Sequence, residues 1–268
     1  MEVTNMYVDT FIENGFRGNT AAVCVLSGPV ESSWMQHVAH EMGVSETAFF
    51  YRESTGFNLR WFSPLVEVDL CGHGTLAVAH VLREQGYFTH QPAAWFFTRS
   101  GLLTARLRGD MIELNFPALH QQQIAPPHEL RQALGVPMKY VGTDGHDYLV
   151  ELESEDTVRS LRPDFEMLAN IPARAIVVTS QASSMEYDVI SRVFAPRLGI
   201  NEDPVTGSAH CCLGPFWMAK LRKTELIAYQ ASARGGVLHL RLNGSRVSLS
   251  GKAVTSNTTD YPGLFRVS

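Results

Sequence analysis

The chain repeats a long pattern once, and this repeat restricts the possible folds more than any other feature of the sequence. Three pairs of segments match at nearly constant offsets of 132, 133 and 135 residues: 60–64 with 192–196, 74–75 with 207–208, and 101–114 with 236–249. In the last pair, six positions are identical. The offset is far longer than the roughly 20–50 residues of a solenoid repeat, so it predicts two similar domains.

Each half combines several strand-like stretches with one strongly apolar helix. Leu76–Leu82 is apolar on almost every face, which predicts a buried helix, and Ala209–Trp217 has the same character. The sequence therefore predicts an α+β fold of two pseudo-symmetric domains, each a mostly antiparallel sheet or barrel wrapped round a central buried helix. We expect these domains to span 1–117 and 118–255, with the active site in the cleft between them. The sequence leaves open whether 256–268 joins the first domain.

Composition is typical of a soluble protein with a substantial core. Of the 268 residues, 45% are hydrophobic, and the net charge is −5. No basic block or membrane-length apolar run occurs, so we expect neither a nucleic-acid nor a membrane partner. The N-terminus has the pattern of a strand and not of a signal peptide. Four irregularly spaced cysteines do not suggest a disulfide framework, and they predict a reducing, cytoplasmic location.

Two glycine-containing turns are predicted to begin the buried helices. The first is Gly72–Thr75 and the second is Gly207–Ala209. The first N–H groups of a helix have no intrahelical partner, so each turn can bind a carboxylate or phosphate. Thr75 and Ser208 are expected to cap the two helices and to leave the other N–H groups available. The candidate substrate-binding residues at these turns are Gly72, Gly74, Thr75, Gly207 and Ala209.

Two acidic residues have no acidic counterpart in the repeat, which suggests that they have separate roles. Glu46 stands at the mouth of a predicted strand, and its repeat position near residue 178 lies in an apolar run. Asp203 precedes the second turn. A carboxylate in apolar surroundings has a raised pKa and can take up and return a proton near neutral pH. The alternative roles are structural: Glu46 as a cap between helix and strand, and Asp203 as the start of an Asp-Pro turn.

His73 and Cys71 occupy the first of the two turns. The imidazole of His73 can hydrogen-bond a ligand, carry a proton or simply close the loop. Cys71 suggests a reactive thiolate. Its repeat position is Pro204, however, so a racemase that uses two thiols would lack the second one.

No metal and no organic cofactor is predicted. The segment 210–212 places a histidine and two cysteines at consecutive helical positions, whose side chains point about 100° apart. No second ligand pair follows at the spacing of a zinc site. The glycines at 15–18 and 235–236 lack the strand–helix context of a dinucleotide or phosphate loop.

Five motifs in order carry a resemblance to a known family. They are FxGNxAAV (Phe16–Val23), SETAFF (Ser45–Phe50), RWFSPxxEVDLCGHGTLA (Arg60–Ala77), RVFAPxxGxxEDPVTGSAH (Arg192–His210) and SGKA (Ser250–Ala253). Over nearly the whole chain, this set resembles the PhzF-like phenazine biosynthesis family of the diaminopimelate epimerase-like superfamily. The resemblance implies two similar domains around a central cleft, no cofactor, a small carboxylate substrate and a homodimer.

The resemblance also implies roles for individual residues. The family's proton-transfer glutamate matches Glu46, its histidine matches His73, and its aspartate and serine match Asp203 and Ser208. Asn19, in FxGNxAAV, joins the candidate substrate-binding residues. The implied activity resembles the isomerisation of trans-2,3-dihydro-3-hydroxyanthranilate, in which a glutamate moves a proton between two ring carbons.

Two other functions stay open from the sequence. One is a thiol-assisted racemase or epimerase that uses Cys71. The other is a non-catalytic protein that binds a small molecule. The physiological substrate is not determined by the motifs.

Overall fold

The computed structural model describes residues 4–13 and 15–260, and the predicted α+β class is confirmed. The chain forms two compact units. The first comprises the described residues up to Phe116 together with those from Ser250 onward, and the second is Pro117–Leu249. The segment 250–255 therefore lies with the first unit. The sequence left open whether 256–268 joins the first domain, and residues 261–268 of that segment lie outside the described part. No helix in the described ranges is long and apolar enough to cross a membrane.

The elements of the first unit begin with a run of short strands. These are β1 (Thr4–Thr10), β2 (Asn19–Val25), β3 (Glu46–Arg52), β4 (Phe57–Phe62), β5 (Glu67–Val68), β6 (Ala94–Thr98), β7 (Gly101–Arg108), β8 (Met111–Pro117) and, at the far end of the chain, β18 (Ala253–Asp260). Its helices are α1 (Ser32–Met42), α2 (Gly72–Glu84) and α3 (Tyr87–His90).

The strands of this unit form a largely antiparallel sheet. Strand β1 pairs antiparallel with both β2 and β18. The β2–β3 and β4–β6 pairs are parallel, because a helix crosses over between their strands, and the pairs β3–β4, β4–β5, β6–β7 and β7–β8 are antiparallel. Helix α2 packs against β1, β2, β3 and β18, and every residue from Gly72 to Leu82 is buried. The predicted buried helix is confirmed.

Helix α1 packs on the other face of β3. Its apolar residues recur at helical spacing and contact Phe49 and Phe62, so they form a second apolar layer: Met35, Val38, Ala39 and Met42. Gly43 ends the helix with a φ of 64°, a left-handed conformation that glycine adopts without strain.

The second unit has its own set of elements. Its strands are β9 (Gln122–Gln123), β10 (Met138–Thr143), β11 (Asp147–Leu152), β12 (Ala175–Gln181), β13 (Val189–Ala195), β14 (Ile200–Asp203), β15 (Glu225–Gln230), β16 (Gly236–Asn243) and β17 (Arg246–Gly251). Its helices are α4 (His128–Leu134), α5 (Glu155–Ser160), α6 (Phe165–Asn170) and α7 (Gly207–Leu221), with a 3₁₀ turn at Pro196–Leu198.

The second unit repeats the pairing order of the first. The pairs β10–β11, β12–β13, β13–β14 and β15–β16 are antiparallel, and β11–β12 and β13–β15 are parallel. Helix α7 takes the place of α2 between β14 and β15, and it is buried from Gly207 to Pro215. The shared succession of pairings agrees with the repeat in the sequence.

The segment 117–128 contains one short strand. This strand is β9, which pairs with Gly142 and Thr143 of β10. Both glutamines of β9 are exposed, so the strand is held by its backbone and leaves no apolar pattern in the sequence.

Candidate active site

The first unit gathers several predicted site residues at one edge of its sheet. Asn19 and Glu46 are the first residues of the parallel strands β2 and β3, and Ala21 lies opposite Glu46 in the register. Parallel strands that begin together bring their first side chains to the same edge. Helix α2 follows β5 in the chain, and its first turn places His73 at the same edge of the sheet.

The cap of α2 differs from the expectation. Gly72 is the first helical residue, so Cys71 occupies the N-cap, and its Sγ accepts the N–H of Gly74 at 3.3 Å. Thr75 lies too far inside the helix to cap it. Its hydroxyl donates to the Cys71 carbonyl at 2.6 Å. Gly74 is required by packing, because a Cβ there would lie 2.8 Å from Cδ1 of Trp61.

Four polar side chains surround the imidazole of His73. Nε2 lies 3.2 Å from Oε2 of Glu46 and 3.4 Å from Oγ of Ser45. Nδ1 lies 3.5 Å from Nδ2 of Asn19 and 3.6 Å from Sγ of Cys71. The structure therefore brings Glu46, His73 and Asn19 together as predicted candidates. Ser45 was not predicted, although its place beside Glu46 in the SETAFF motif was a usable signal.

Burial and charge act on the pKa of His73 in opposite directions. The residue is 4% exposed. Burial alone lowers the pKa of His73, but the neighbouring Cys71 and the hydrogen-bonded Glu46 raise it, and the net result is a pKa well above 6.5. The pKa of the Cys71 thiol is raised, chiefly by burial. The imidazolium form of His73 is therefore favoured near neutral pH.

Glu46, Cys71 and His73 also form a group that could approach a metal ion. Their ligand atoms lie within 4.8 Å of one another. A metal site needs a thiolate and a neutral imidazole. The upward pKa shifts of Cys71 and His73 favour the opposite protonation states at neutral pH. The arrangement is better suited to holding a proton than to holding a cation.

We expect the free energy of unfolding to fall as pH rises above about 6.5. Folded His73 keeps its proton above that pH because its pKa is raised, whereas the unfolded chain loses it. The stabilisation is complete below the unfolded pKa of 6.5 and is lost as pH passes through the folded pKa. Urea denaturation between pH 6 and 9 measures this decline. Glu46→Gln removes the carboxylate that favours the imidazolium, and its decline should be smaller. An equal slope in both proteins would contradict the assigned cause.

The second unit holds Asp203 in a tightly bonded turn. Asp203 is the last residue of β14, and its carboxylate accepts a hydrogen bond from the hydroxyl of Thr206. Gln230, at the end of β15, donates to the Asp203 carbonyl at 2.8 Å and accepts the N–H of Thr206 at 2.8 Å. Thr206 and Gln230 were not predicted, and Gln230 gives no local signal because only the fold brings it to the turn.

The start of α7 carries the other predicted candidates. Thr206 occupies the N-cap without a side-chain capping bond, and Gly207 is the first helical residue. Ser208 is therefore inside the helix and does not cap it, contrary to the expectation. Ser208 and Ala209 are buried in the first turn, whose N–H groups have no intrahelical partner.

His210 supports this turn from within the helix. Its Nδ1 donates to the carbonyl of Thr206 at 2.8 Å. Burial lowers the pKa of His210 to about 4, so this histidine is neutral where His73 is charged. His73 and His210 are thus two buried histidines in opposite protonation states. Glu46 and His73 belong to the first unit, and Asp203 and Ser208 belong to the second.

Comparison with known proteins agrees with the motifs. The family model described as phenazine biosynthesis-like protein (PhzC-PhzF) matches residues 8–259. An uncharacterised isomerase of Halalkalibacterium halodurans is 52% identical over 257 residues, which are 95% of this chain and 97% of the relative. An uncharacterised isomerase of Pseudomonas aeruginosa is 46% identical over 254 residues, 95% of this chain and 96% of that protein. The crystal structure of a PhzF-family protein from Enterococcus faecalis has a TM-score of 0.89 at 39% identity and covers 96% of this chain and 98% of its own.

Proposed function

The chain belongs to the phenazine biosynthesis-like family and is an isomerase, and from this premise we propose that it moves a proton within a small unsaturated amino or hydroxy carboxylic acid. Glu46 is the group that takes up and returns the proton, and no cofactor takes part. The substrate resembles trans-2,3-dihydro-3-hydroxyanthranilate in carrying a carboxylate, a polar substituent and a carbon acid next to a double bond.

The observation that supports this proposal most directly is the buried contact between Glu46 and His73. Oε2 of Glu46 lies 3.2 Å from Nε2 of His73. The contact with the imidazolium fixes the orientation of the carboxylate before reaction. A base that is positioned and ionised contributes a rate factor of about 10²–10⁴ to proton transfer.

The reaction consists of two balanced proton transfers. In the first, a C–H bond of the substrate breaks, its proton moves to Glu46, and the electron pair enters the neighbouring unsaturated system. In the second, the O–H bond of Glu46 breaks and a C–H bond forms at another carbon of that system. The double bond has then shifted, the carboxylate is regenerated, and no oxidant or reductant is consumed. The positive charge of His73 stabilises the negative charge that develops between the two steps.

The remaining candidates bind the substrate in this proposal. The N–H groups of Gly72 and His73 at the start of α2 and the first-turn N–H groups of α7 bind its carboxylate. Asp203, Ser208 and Asn19 bind the amino or hydroxyl substituent. The roles of Asp203 and Ser208 rest on the family motif and on the bonded geometry of their turn.

The test is to follow candidate acids by proton NMR in deuterium oxide. The first acid to try is trans-2,3-dihydro-3-hydroxyanthranilate, followed by other small unsaturated amino and hydroxy acids. We expect one C–H signal to disappear and a new one to appear at another carbon. Complete exchange of the migrating proton with solvent in every turnover would contradict its return by a shielded carboxylate. No change in any acid would favour the binding-protein alternative.

The proposal also includes a homodimer in the cytoplasm. Cys24, Cys71, Cys211 and Cys212 are all free and buried, which suits a reducing compartment. Light scattering after size-exclusion chromatography tests the dimer. A mass near the 29.7 kDa of one chain would contradict it.

A thiol mechanism has one observation in its favour and makes a different prediction. Cys71 Sγ lies 3.6 Å from Nδ1 of His73, which could accept its proton in the neutral form. Burial raises the pKa of Cys71, however, and opposes formation of the thiolate. We expect Cys71→Ser, which keeps an acceptor at the N-cap, to retain activity within about tenfold, a barrier change below about 1.4 kcal/mol.

Cys71→Ala is the matched control for that variant. It removes the capping acceptor as well as the thiol, so the difference between the two variants measures the cap alone. If both variants lose more than about a thousandfold in rate, the thiol takes part in the chemistry and the carboxylate proposal is incomplete.

A further inference from the structure

The same arginine–glutamate ion pair occurs in both units. Nε and Nη2 of Arg60 donate to the two oxygens of Glu67 at 2.8 and 2.7 Å. Nε and Nη2 of Arg192 donate to the two oxygens of Glu202 at 2.7 and 2.9 Å. Both pairs are bidentate, the geometry in which arginine and carboxylate bind most strongly and with a fixed orientation.

The surroundings of the two arginines are repeated as well. Each guanidinium lies over the phenylalanine two residues further along its strand, at 5.2 Å for Phe62 and 5.0 Å for Phe194. Each arginine also reaches the helix that packs outside its sheet. Arg60 donates to Ser32 of α1 at 2.7 Å, and Arg192 donates to the carbonyl of Leu161, just after α5, at 2.8 Å.

Both glutamates lie on the short strand that leads into the candidate site. Glu202 directly precedes Asp203 at the end of β14. Glu67 begins β5, and the chain reaches the α2 cap at Cys71 four residues later. These strands are short: β5 pairs with β4 only through Trp61–Val68 and Phe62–Glu67. Such limited backbone pairing restrains the position of the following turn only weakly.

We propose that the two arginine–glutamate pairs are positioning devices that hold the site-bearing turns in place. Arg60 and Glu67 fix the segment that carries His73 against Glu46, and Arg192 and Glu202 fix Asp203. The inference rests on the proposed function, because it names those turns as the reacting part of each unit. The groups that transfer the proton differ between the units, but the groups that position them are the same.

Stability alone does not account for this duplication. An exposed ion pair contributes little to stability, and a buried one is often no better than an apolar pair of the same size. Both pairs are partly buried, with side-chain exposures of 23% and 10% for Arg60 and Glu67 and of 9% and 22% for Arg192 and Glu202. A bidentate pair fixes the relative orientation of its two side chains, which an apolar contact does not.

The experiment is an NMR titration of His73, which needs no substrate. Arg60→Lys keeps the net charge but cannot form the bidentate pair, so any change in His73 comes from position and not from charge. We expect the pKa of His73 to fall toward its ordinary value by roughly 0.5 unit or more, because the imidazole moves away from Glu46. Glu67→Gln breaks the same pair from the other side, together with the ion pair between Glu67 and Arg99, and should lower the pKa in the same direction.

Two controls separate positioning from other effects. Asp69→Asn removes an exposed negative charge from the same segment and leaves the pair intact, so it should have the smaller effect. Glu202→Gln breaks the equivalent pair in the second unit and should leave the His73 titration unchanged. His210 serves as an internal reference, since its pKa of about 4 keeps it neutral throughout.

The outcomes test the positioning role and the proposed function separately. The inference is overturned if the Arg60→Lys and Glu67→Gln proteins unfold cooperatively and His73 titrates in both as it does in the wild type. If Arg60→Lys does not fold, Glu67→Gln compared with Asp69→Asn decides it alone, and equal shifts in those two count against positioning. The wild-type protein could isomerise none of the acids while the pKa of His73 still shifts as expected in the variants. That result would reject the proposed function and leave the positioning role in place.

Discussion

Replacing Glu46 with glutamine is expected to slow proton transfer by about 10²–10⁴-fold. The amide has the same shape as the carboxylate and can still accept a hydrogen bond from His73, but it cannot take up a proton from carbon. The rate of appearance of the shifted C–H signal in deuterium oxide measures the effect. Substrate binding should change much less, because the helix starts and Asn19 are untouched.

Glu41→Gln is the matched control for this variant. Glu41 is exposed in the last turn of α1, and the substitution removes the same charge. Its rate should equal that of the wild type. Turnover by Glu46→Gln within tenfold of the wild type would rule out Glu46 as the acid–base group, and a matching loss in Glu41→Gln would point to a general charge effect.

Replacing Leu76 with alanine is expected to lower the free energy of unfolding by about 2–5 kcal/mol. Leu76 is fully buried near the start of α2, where the helix packs against β1, β2 and β3. The shorter side chain loses its apolar burial and leaves a cavity, because a helix held by several strands cannot move to fill it. Urea denaturation followed by circular dichroism measures the change.

Leu65→Ala provides the same chemical change at an exposed position. Leu65 is 68% exposed in the turn between β4 and β5, so its removal should alter stability by no more than about 0.5 kcal/mol. A loss below about 1 kcal/mol in Leu76→Ala, or equal losses in both variants, would mean that α2 is not the rigid centre of its unit.

The repeat and the apolar helices were sufficient to predict the fold. An apolar run such as Leu76–Leu82 has no polar face to turn toward water, so burial is its only stable outcome. The register of the strands could not be read in the same way. The position that corresponds to Glu46 is Ala175, three residues before the expected one, because Thr47 lies opposite Phe62 and Ile176 lies opposite Phe194. Apolar residues at the first four positions of β12, from Ala175 to Val178, conceal that register.

The sequence named the central residues of the candidate site but not the side chains that support them. Glu46 and His73 stand in short motifs whose residue types indicate proton transfer, so the sequence alone identified them. The glutamates of the repeated ion pairs were missed because they follow their arginines at different distances, seven residues for Arg60 and ten for Arg192. Side chains such as Gln230 contact residues that are distant in the sequence, and no local sequence pattern predicts such contacts.

Strand β1 has a consequence for how the protein is made on the ribosome. One of its edges pairs with β2, a few residues away, and the other pairs with β18, whose residues are translated about 250 positions later. At roughly 5–20 residues per second, that second edge stays open for on the order of 10–50 s. An unpaired edge is a template for association with other chains. The second unit, by contrast, is a continuous segment and can fold as soon as it emerges, so the half that is synthesised first is the half completed last.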